Sequence, residues 1–427
     1  MKYALVNPVW DFEGSIYFGC REPHLPLEFG YAKALLERSG HEALILDGQL
    51  DGLSYKHIRE QLQFYRPDFT VITTAPSYLF WRCPPPELRV PIAAVRQLRS
   101  VGGVMVAVGP HGSTTPQATL NKLGVDAVVL GECEEILPLL AGDWRTVNSL
   151  CYRSPDGIIV RGGPHAGNVA ALPPLEWPPA TLRRHHHHHH RFDAAPALPG
   201  AEVETSRGCP YHCTFCAKDN FRNRYRRRPV PVVLEEIDAL LVRGVEYVYF
   251  IDEIFLPNRE LLEALASRRL KFGIQTRIDL WSLEMLDLLG CAGCVSIEAG
   301  VESITEEGRA RLDKNCRHTT YELADLLIHA KQCVPFVQAN LIEMREDDRN
   351  SVEAFRQYLQ RFGVWANKPV PLFPYPGSPE YSRRWGAPDD NAWERAHDSY
   401  INGYQEFSDI QEEHPVPLIQ LELSGTR

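Results

Sequence analysis

The sequence contains no apolar run long enough to cross a bilayer, which takes about 20 consecutive apolar residues. Its start, MKYALVNPVW, has one lysine and then what reads as a buried strand. It lacks the apolar stretch and small-residue cleavage site of a secretory signal. A reducing, cytoplasmic setting is therefore expected. In that setting 11 cysteines are not a disulfide framework, and a clustered subset points to a metal. There is no surplus of positive charge either. A net charge of -10 argues against a nucleic-acid backbone as the main partner. The one basic run, RNRYRRRP (222–229), reads as a solvated turn or as a contact for an anionic ligand.

At 427 residues the chain is long for one core, and two domains with an appendage are expected. Residues 1–145 alternate apolar strands with amphipathic helices. KYALVNP, EALILD, DFTVITT, VMVAVGP and DAVVLGE read as strands; EFGYAKALLERSG, PIAAVRQLRSVG and CEEILPLLAG read as helices, the first closed by Gly40. That pattern implies a doubly wound parallel sheet, whose ligands sit outside the carboxyl ends of its strands. The loops there are NPVWDF, TTAPSY, GPHGS and GECEE, whose glycines and small hydroxyl residues permit close backbone approach. Residues 146–200 read as an irregular proline-rich bridge containing RRHHHHHHRFD. Consecutive histidines point in different directions, so the run His185–His190 is read as a dispensable linker feature. Residues 201–365 supply at least five further β/α steps, most of a parallel barrel. Residues 366–427, with PYPGSPEYSRRWG and NAWERAHDSYINGYQEF, are expected to close the barrel's open side and shape a pocket.

The stretch SRGCPYHCTFCAKDN carries Cys209, Cys213 and Cys216 in C-x3-C-x2-C spacing, at the carboxyl end of the first barrel strand. A structural zinc site takes four ligands, commonly from two C-x2-C pairs. Here the next cysteines, Cys291 and Cys294, lie far along the chain, at what reads as a buried helix-to-strand turn. Three thiolates from one short loop can instead hold three corners of a 4Fe-4S cluster, leaving the fourth iron open.

C-x3-C-x2-C with Phe215 before the last cysteine resembles the radical S-adenosylmethionine (SAM) superfamily. YRRRPVPVVLEEI, FIDEIF, TRID, GCVSIEAGVES and PYPGSPEY resemble landmarks of its larger members. The N-terminal stretches FGYAKALLERSGHEALILD, VAVGPHGS and GVDAVVLGECEE resemble the cobalamin-binding domain fused to many of them. The resemblance implies an α/β chain: a doubly wound cobalamin-binding domain, then a partial β/α barrel of radical SAM type. It implies three cofactors, namely a 4Fe-4S cluster, S-adenosylmethionine and cobalamin. The implied partners are a small-molecule substrate and a one-electron donor such as flavodoxin or ferredoxin.

By the same resemblance Cys209, Cys213 and Cys216 ligate the cluster, and Phe215 lies against the adenine. Glu253, at the end of FIDE, binds the methionyl amine; Asp252 and Glu253 otherwise read as a strand-end surface pair. Arg277 pairs with the methionyl carboxylate or a substrate anion. Ser296, Glu298 and Glu302 are candidates for the ribose hydroxyls, and strand alternation is expected to keep at least one of them out of the site. Ser77, Gly109, His111, Gly131 and Glu132 are the cobalamin-domain candidates. Residues 1–145 lack D-x-H-x-x-G, whose histidine ligates cobalt from below in many such domains; His111 is expected to pack near the nucleotide tail instead.

The implied activity is methyl transfer to an unactivated carbon. A 5′-deoxyadenosyl radical from SAM takes a substrate hydrogen, and methylcobalamin supplies the methyl group. Ring formation or contraction is the alternative within the family. A cobalamin or redox sensor is the alternative outside it, and the intact cysteine loop and Glu253 speak against that.

Overall fold

The computed structural model describes residues 1–11, 23–77, 84–185, 200–218 and 222–403, with the backbone alone for 400–403. Among the described residues no helix is long and apolar enough to cross a membrane. The chain divides into two compact units. The first comprises Met1–His185, Cys216–Arg224 and Pro374–Gly403; the described part of the second is 200–215 and Tyr225–Phe373.

The first unit is built on seven strands: β1 (Lys2–Asn7), β2 (Glu42–Asp47), β3 (Phe69–Thr73), β4 (Val104–Val108), β5 (Ala127–Val129), β6 (Leu150–Ser154) and β7 (Gly157–Arg161). Their order is β2-β1-β3-β4-β5-β6-β7, with β1 to β5 parallel. Apolar side chains make this order stable, since Tyr3 to Val6 of β1 are wholly buried between helices. The helix Leu27–Arg38 ends as expected at Gly40, whose φ of 79° lets His41 N–H reach back to the Leu36 carbonyl at 3.0 Å.

Two expectations fail here. The 146–200 segment is not irregular throughout, because β6 and β7 pair antiparallel and extend the sheet beyond β5. Their turn is Pro155-Asp156, followed by Gly157 at φ 123°, a hairpin signal that proline content obscured. The expected α-helix CEEILPLLAG is a turn followed by a 3-10 helix over Leu137–Ala141; Pro138 removes a donor that an α-helix through it would need.

The second unit holds six parallel strands: β8 (Gly200–Val203), then, after a two-residue ribbon of β9 (Ser206–Arg207) with β10 (Arg226–Arg227), β11 (Tyr247–Phe250), β12 (Lys271–Thr276), β13 (Cys294–Glu302), β14 (Phe336–Leu341) and β15 (Trp365–Ala366). Their order is β15-β14-β13-β12-β11-β8. In-register residues of parallel strands share a face. One face is apolar: Val203, Phe250, Ile274, Ile297, Val337 and Ala339. The other carries Glu202, Tyr249, Gln275, Ser296, Glu298 and Gln338. A period of two therefore runs through strands that also look apolar, as in YVYF and FVQA.

Close approach in the first unit depends on Gly131 after β5. It has φ 81°, and a Cβ on it would stand 2.3 Å from His165 N. Gly131→Ala combines left-handed strain with a backbone clash. It should destabilise the first unit by about 2–4 kcal/mol, and thermal unfolding of the full chain would show a lowered transition; an unchanged one would contradict this account of the turn.

Candidate functional site

The three-cysteine loop leaves the carboxyl end of β8 and is tied before it starts. Val203 of β8 pairs with Phe250 of β11, so the residues just beyond them meet. Asp252, wholly buried, accepts from Thr205 N at 2.7 Å, from Ser206 Oγ at 2.5 Å and from the Thr205 hydroxyl. Burial pushes its carboxyl up to about 7 despite those donors. It is thus not the surface residue that the sequence suggested. Glu253 accepts from Gly208 N at 2.7 Å, one residue before Cys209. The β9/β10 ribbon closes the loop's base. Behind it Arg228 donates to Glu236 at 2.7 Å and to the Glu204 carbonyl at 2.8 Å, with both ionic side chains buried. Arg207 donates to Glu204 at 2.9 Å, also buried. The two ends of the basic run are therefore buried, while Arg224 and Arg227 between them are exposed. Arg228 is spent on an internal carboxylate, and so is Arg222, 3.7 Å from Glu132 within the first unit.

Arg277 follows β12 and reaches the cysteine loop. Its guanidinium lies 4.0 Å over the Tyr211 ring, between Cys209 and Cys213 in sequence. It is fixed by two bonds to Asp279, at 3.1 and 2.7 Å, and its buried Nη1 has no partner among the described residues. Glu302, at φ 64° after a register shift in β13, pairs with the buried Lys314, which also donates to the Gly300 carbonyl at 3.0 Å. Burial raises the Cys213 thiol to about 11, Glu302 adds to this, and Lys314 and Arg277 oppose it. Cys209, Cys213 and Phe215 are half-buried in the second unit; Cys216, also half-buried, opens the segment that packs with the first. Three accessible thiols on a pinned loop, beside two fixed cations, fit an iron-sulfur cluster as a donor set. The leftover Arg277 Nη1 fits an anionic group.

Ser296 and Glu298 lie on the same face, since residues two apart in a strand point the same way. Tyr247 Oη is 3.4 Å from Ser296 Oγ, and Tyr249 donates to Glu298 at 3.1 Å. Both tyrosines reach across β12 over Gly273, where a Cβ would stand 2.3 Å from Tyr247 Oη. Sequence reasoning missed Tyr211, Asp279, Lys314 and the tyrosine pair. Only Asp279, two residues after Arg277, carried a local signal.

In the first unit the candidates gather at the carboxyl ends of β3, β4 and β5. His111 is wholly buried, its Nε2 2.9 Å from the Pro85 carbonyl and its Nδ1 3.2 Å from Thr74 Oγ1, with its ring 4.2 Å from that of Trp393. Burial lowers its pKa to about 3, so it is neutral, and both nitrogens are engaged. Gly109, at φ 131°, opens the short helix holding His111, and Ser113 Oγ bridges the Gly109 carbonyl and Gly131 N–H at 2.9 and 2.8 Å. Glu132 accepts from Gly167 N at 2.7 Å. Ser77 donates to Glu28 Oε1 at 3.0 Å, while Glu28 Oε2 is buried with no partner among the described residues. That orphaned oxygen, at the strand ends where a doubly wound sheet binds its ligand, fits a large polar cofactor such as cobalamin. The composition of this cradle was legible, but the role of Glu28, inside a helix pattern, was not.

Burial raises the Glu28 carboxyl from 4.5 to about 8, with a smaller push from Glu134; its own backbone N–H, Ser77 and Arg222 oppose this. The folded chain thus holds this proton more tightly than the unfolded one. The stability it brings is complete below pH 4.5 and is lost as pH rises toward 8. Denaturation of the full chain should show a fall of up to about 1.4 kcal/mol per pH unit from this group. Glu28→Gln should lack that component, and an identical pH slope in the variant would contradict the assignment.

Residues 203–359 match the model of the radical SAM superfamily. Among named proteins the chain is 24% identical to an uncharacterized methyltransferase of Pyrococcus horikoshii, covering 88% of this chain and 82% of that one. It is 26% identical to the anaerobic magnesium-protoporphyrin IX monomethyl ester cyclase of Rubrivivax gelatinosus, over 75% of this chain but only 58% of that longer protein. Among solved structures it resembles the radical SAM methyltransferase TsrM from Kitasatospora setae, with cobalamin and a [4Fe-4S] cluster bound, at a TM-score of 0.70 and 18% identity over 89% of this chain and 76% of that one. At that identity the likeness speaks for fold. Residues 203–359 thus carry the match to the radical SAM superfamily, and the chain has the fold of TsrM, a protein solved with cobalamin and a [4Fe-4S] cluster.

Proposed function

We propose that the chain is a cobalamin-dependent radical SAM methyltransferase acting on an unactivated carbon of a small-molecule substrate. The observation that carries this reading is the three-thiol loop at the carboxyl end of β8, tied to β11 by Asp252 and Glu253 and overlaid by Arg277. When bound, the cluster and cobalamin supply reductive cleavage of SAM to a 5′-deoxyadenosyl radical and a transferable methyl group. The chain's own residues do the rest. Cys209, Cys213 and Cys216 hold the cluster. Glu253, while accepting from Gly208, offers a carboxylate to the methionyl ammonium, and the spare Nη1 of Arg277 meets the methionyl carboxylate. Ser296, Glu298 and Glu302 face the ribose, and Phe215 covers the adenine. In the first unit Ser77, Gly109, His111, Gly131 and Glu132 surround cobalamin. His111, with both nitrogens bonded, would not be free to ligate cobalt. Fixed positions and exclusion of water protect a radical that solvent would quench. A cytoplasmic flavodoxin or ferredoxin would deliver the electron.

The similarity to a named methyltransferase supports methyl transfer. The similarity to a cyclase motivates one other reading, ring formation without methyl transfer. SAM labelled in its methyl group separates them, because only the first reading puts label into the product.

Two outcomes are expected. Anaerobically reconstituted protein should bind about four irons and form 5′-deoxyadenosine when reduced. Replacing Cys209, Cys213 and Cys216 together by Ala should abolish both; a full cluster in that variant would overturn the assignment. Electron paramagnetic resonance of the cob(II) form should show no nitrogen superhyperfine splitting, and clear splitting from one axial nitrogen would refute the absence of a histidine ligand.

A further inference from the structure

Two helices of the second unit end side by side. Leu283–Cys291 leads into β13 and Thr320–Cys333 into β14. Gly290 sets their separation: a Cβ there would stand 2.5 Å from the Cys333 carbonyl oxygen and 3.0 Å from its Cβ. Around this contact the first helix offers Asp287 and Cys291 and the second His329 and Cys333, each pair one turn apart and so on one helix face. His329 Nε2 lies 2.8 Å from Asp287 Oδ1, and Cys333 Sγ donates to the same oxygen at 3.1 Å. The three donor atoms lie within 4.8 Å of one another. Cys291, exposed, follows Gly290 directly, one helical turn after Asp287, and its thiol lies outside that group of three.

An ion pair alone would account for Asp287 and His329. It gives no reason for the Cys333 thiol to join them on the same oxygen, with a second thiol one turn from Asp287. Tetrahedral zinc, with bonds of about 2.0–2.3 Å, separates its donors by roughly 3.3–3.8 Å. The three grouped donors are already within 4.8 Å of one another, and Cys291, beside Gly290 at the helix contact, would supply the fourth. Both helices present their carboxyl ends here, where the backbone dipoles favour a cation. Two thiols and an imidazole select a zinc-class ion over magnesium or calcium.

We propose that Asp287, Cys291, His329 and Cys333 form a closed, structural site for a zinc-class divalent cation, joining these two helices at the end of the strands opposite the cysteine loop. The site is independent of the proposed radical chemistry, and its test does not use activity.

The test uses the full chain with its iron-sulfur cluster reconstituted, so that the loop thiols are occupied. Zinc is titrated in competition with a chromophoric chelator, comparing wild type with His329→Gln and with Cys333→Ser. The histidine run is retained in all three proteins and cancels in the comparison. One equivalent of zinc should bind wild type at least about 10–100-fold more tightly than either variant, since losing an outer-shell partner alone has that effect. His329→Cys, which keeps a ligand, should restore most of the affinity. Zinc-edge absorption should show sulfur near about 2.3 Å, and zinc should raise the melting temperature of wild type but not of His329→Gln. Equal zinc affinity in wild type and both variants, or no zinc retained by wild type, would overturn the proposal. Unchanged circular dichroism of the metal-free variants shows that a lost affinity is not a lost fold.

Discussion

A buried carboxylate that meets the main chain at the mouth of β8 is the constraint on which the second unit's chemistry depends. Asp252 gathers the Thr205 amide and two hydroxyls at the point where the chain leaves the sheet. Parallel pairing of β11 with β8 brings those residues together, so the sheet register and the loop's anchor are one fact. A loop of thiols without such an anchor would lose conformational entropy on binding metal. Here much of that loss is taken at folding, through Asp252, Glu253, the β9/β10 ribbon and the buried Arg228–Glu236 pair. Removing one partner of such a buried pair strands a charge and costs about 3–5 kcal/mol. The cysteine loop is therefore sensitive to residues behind it as well as to its own thiols.

The polar face of the same sheet obeys a related rule. Buried polar groups must find partners. Tyr247 and Tyr249 find Ser296 and Glu298 two strands away, which is possible only because Gly273 leaves the intervening strand without a side chain. The position of Glu298 is thus set in part from β11, through a gap in β12.

What was legible follows from the range of the interaction. Helix and strand periods, the Gly40 cap and the C-x3-C-x2-C spacing are local, and the sequence alone located them. Asp252, Arg228 and Glu28 were misjudged or missed because a charged residue in a short pattern reads as exposed; only the fold reveals the buried donors that satisfy it. The tie of Asp287 to His329 and Cys333 joins residues 42 and 46 positions apart, a separation at which no spacing rule applies. The β6–β7 hairpin is the exception, a local signal that neighbouring prolines masked.

Topology also sorts cysteines that composition treats alike. In a parallel β/α array the strands run toward one end and the helices return toward the other. Residues just after a strand, such as Cys209 and Cys213, fall at the end where loops can leave a coordination position open. Residues at helix carboxyl ends, such as Cys291 and Cys333, fall at the opposite end, against packed helices and β-strand entrances. The loop donors are spaced along one flexible segment and gain rigidity from outside it. The helix donors stand on elements that are rigid already. Open, reactive ligation suits the first arrangement and closed, structural ligation the second, so the direction of the chain through the sheet would separate the two proposed kinds of metal site.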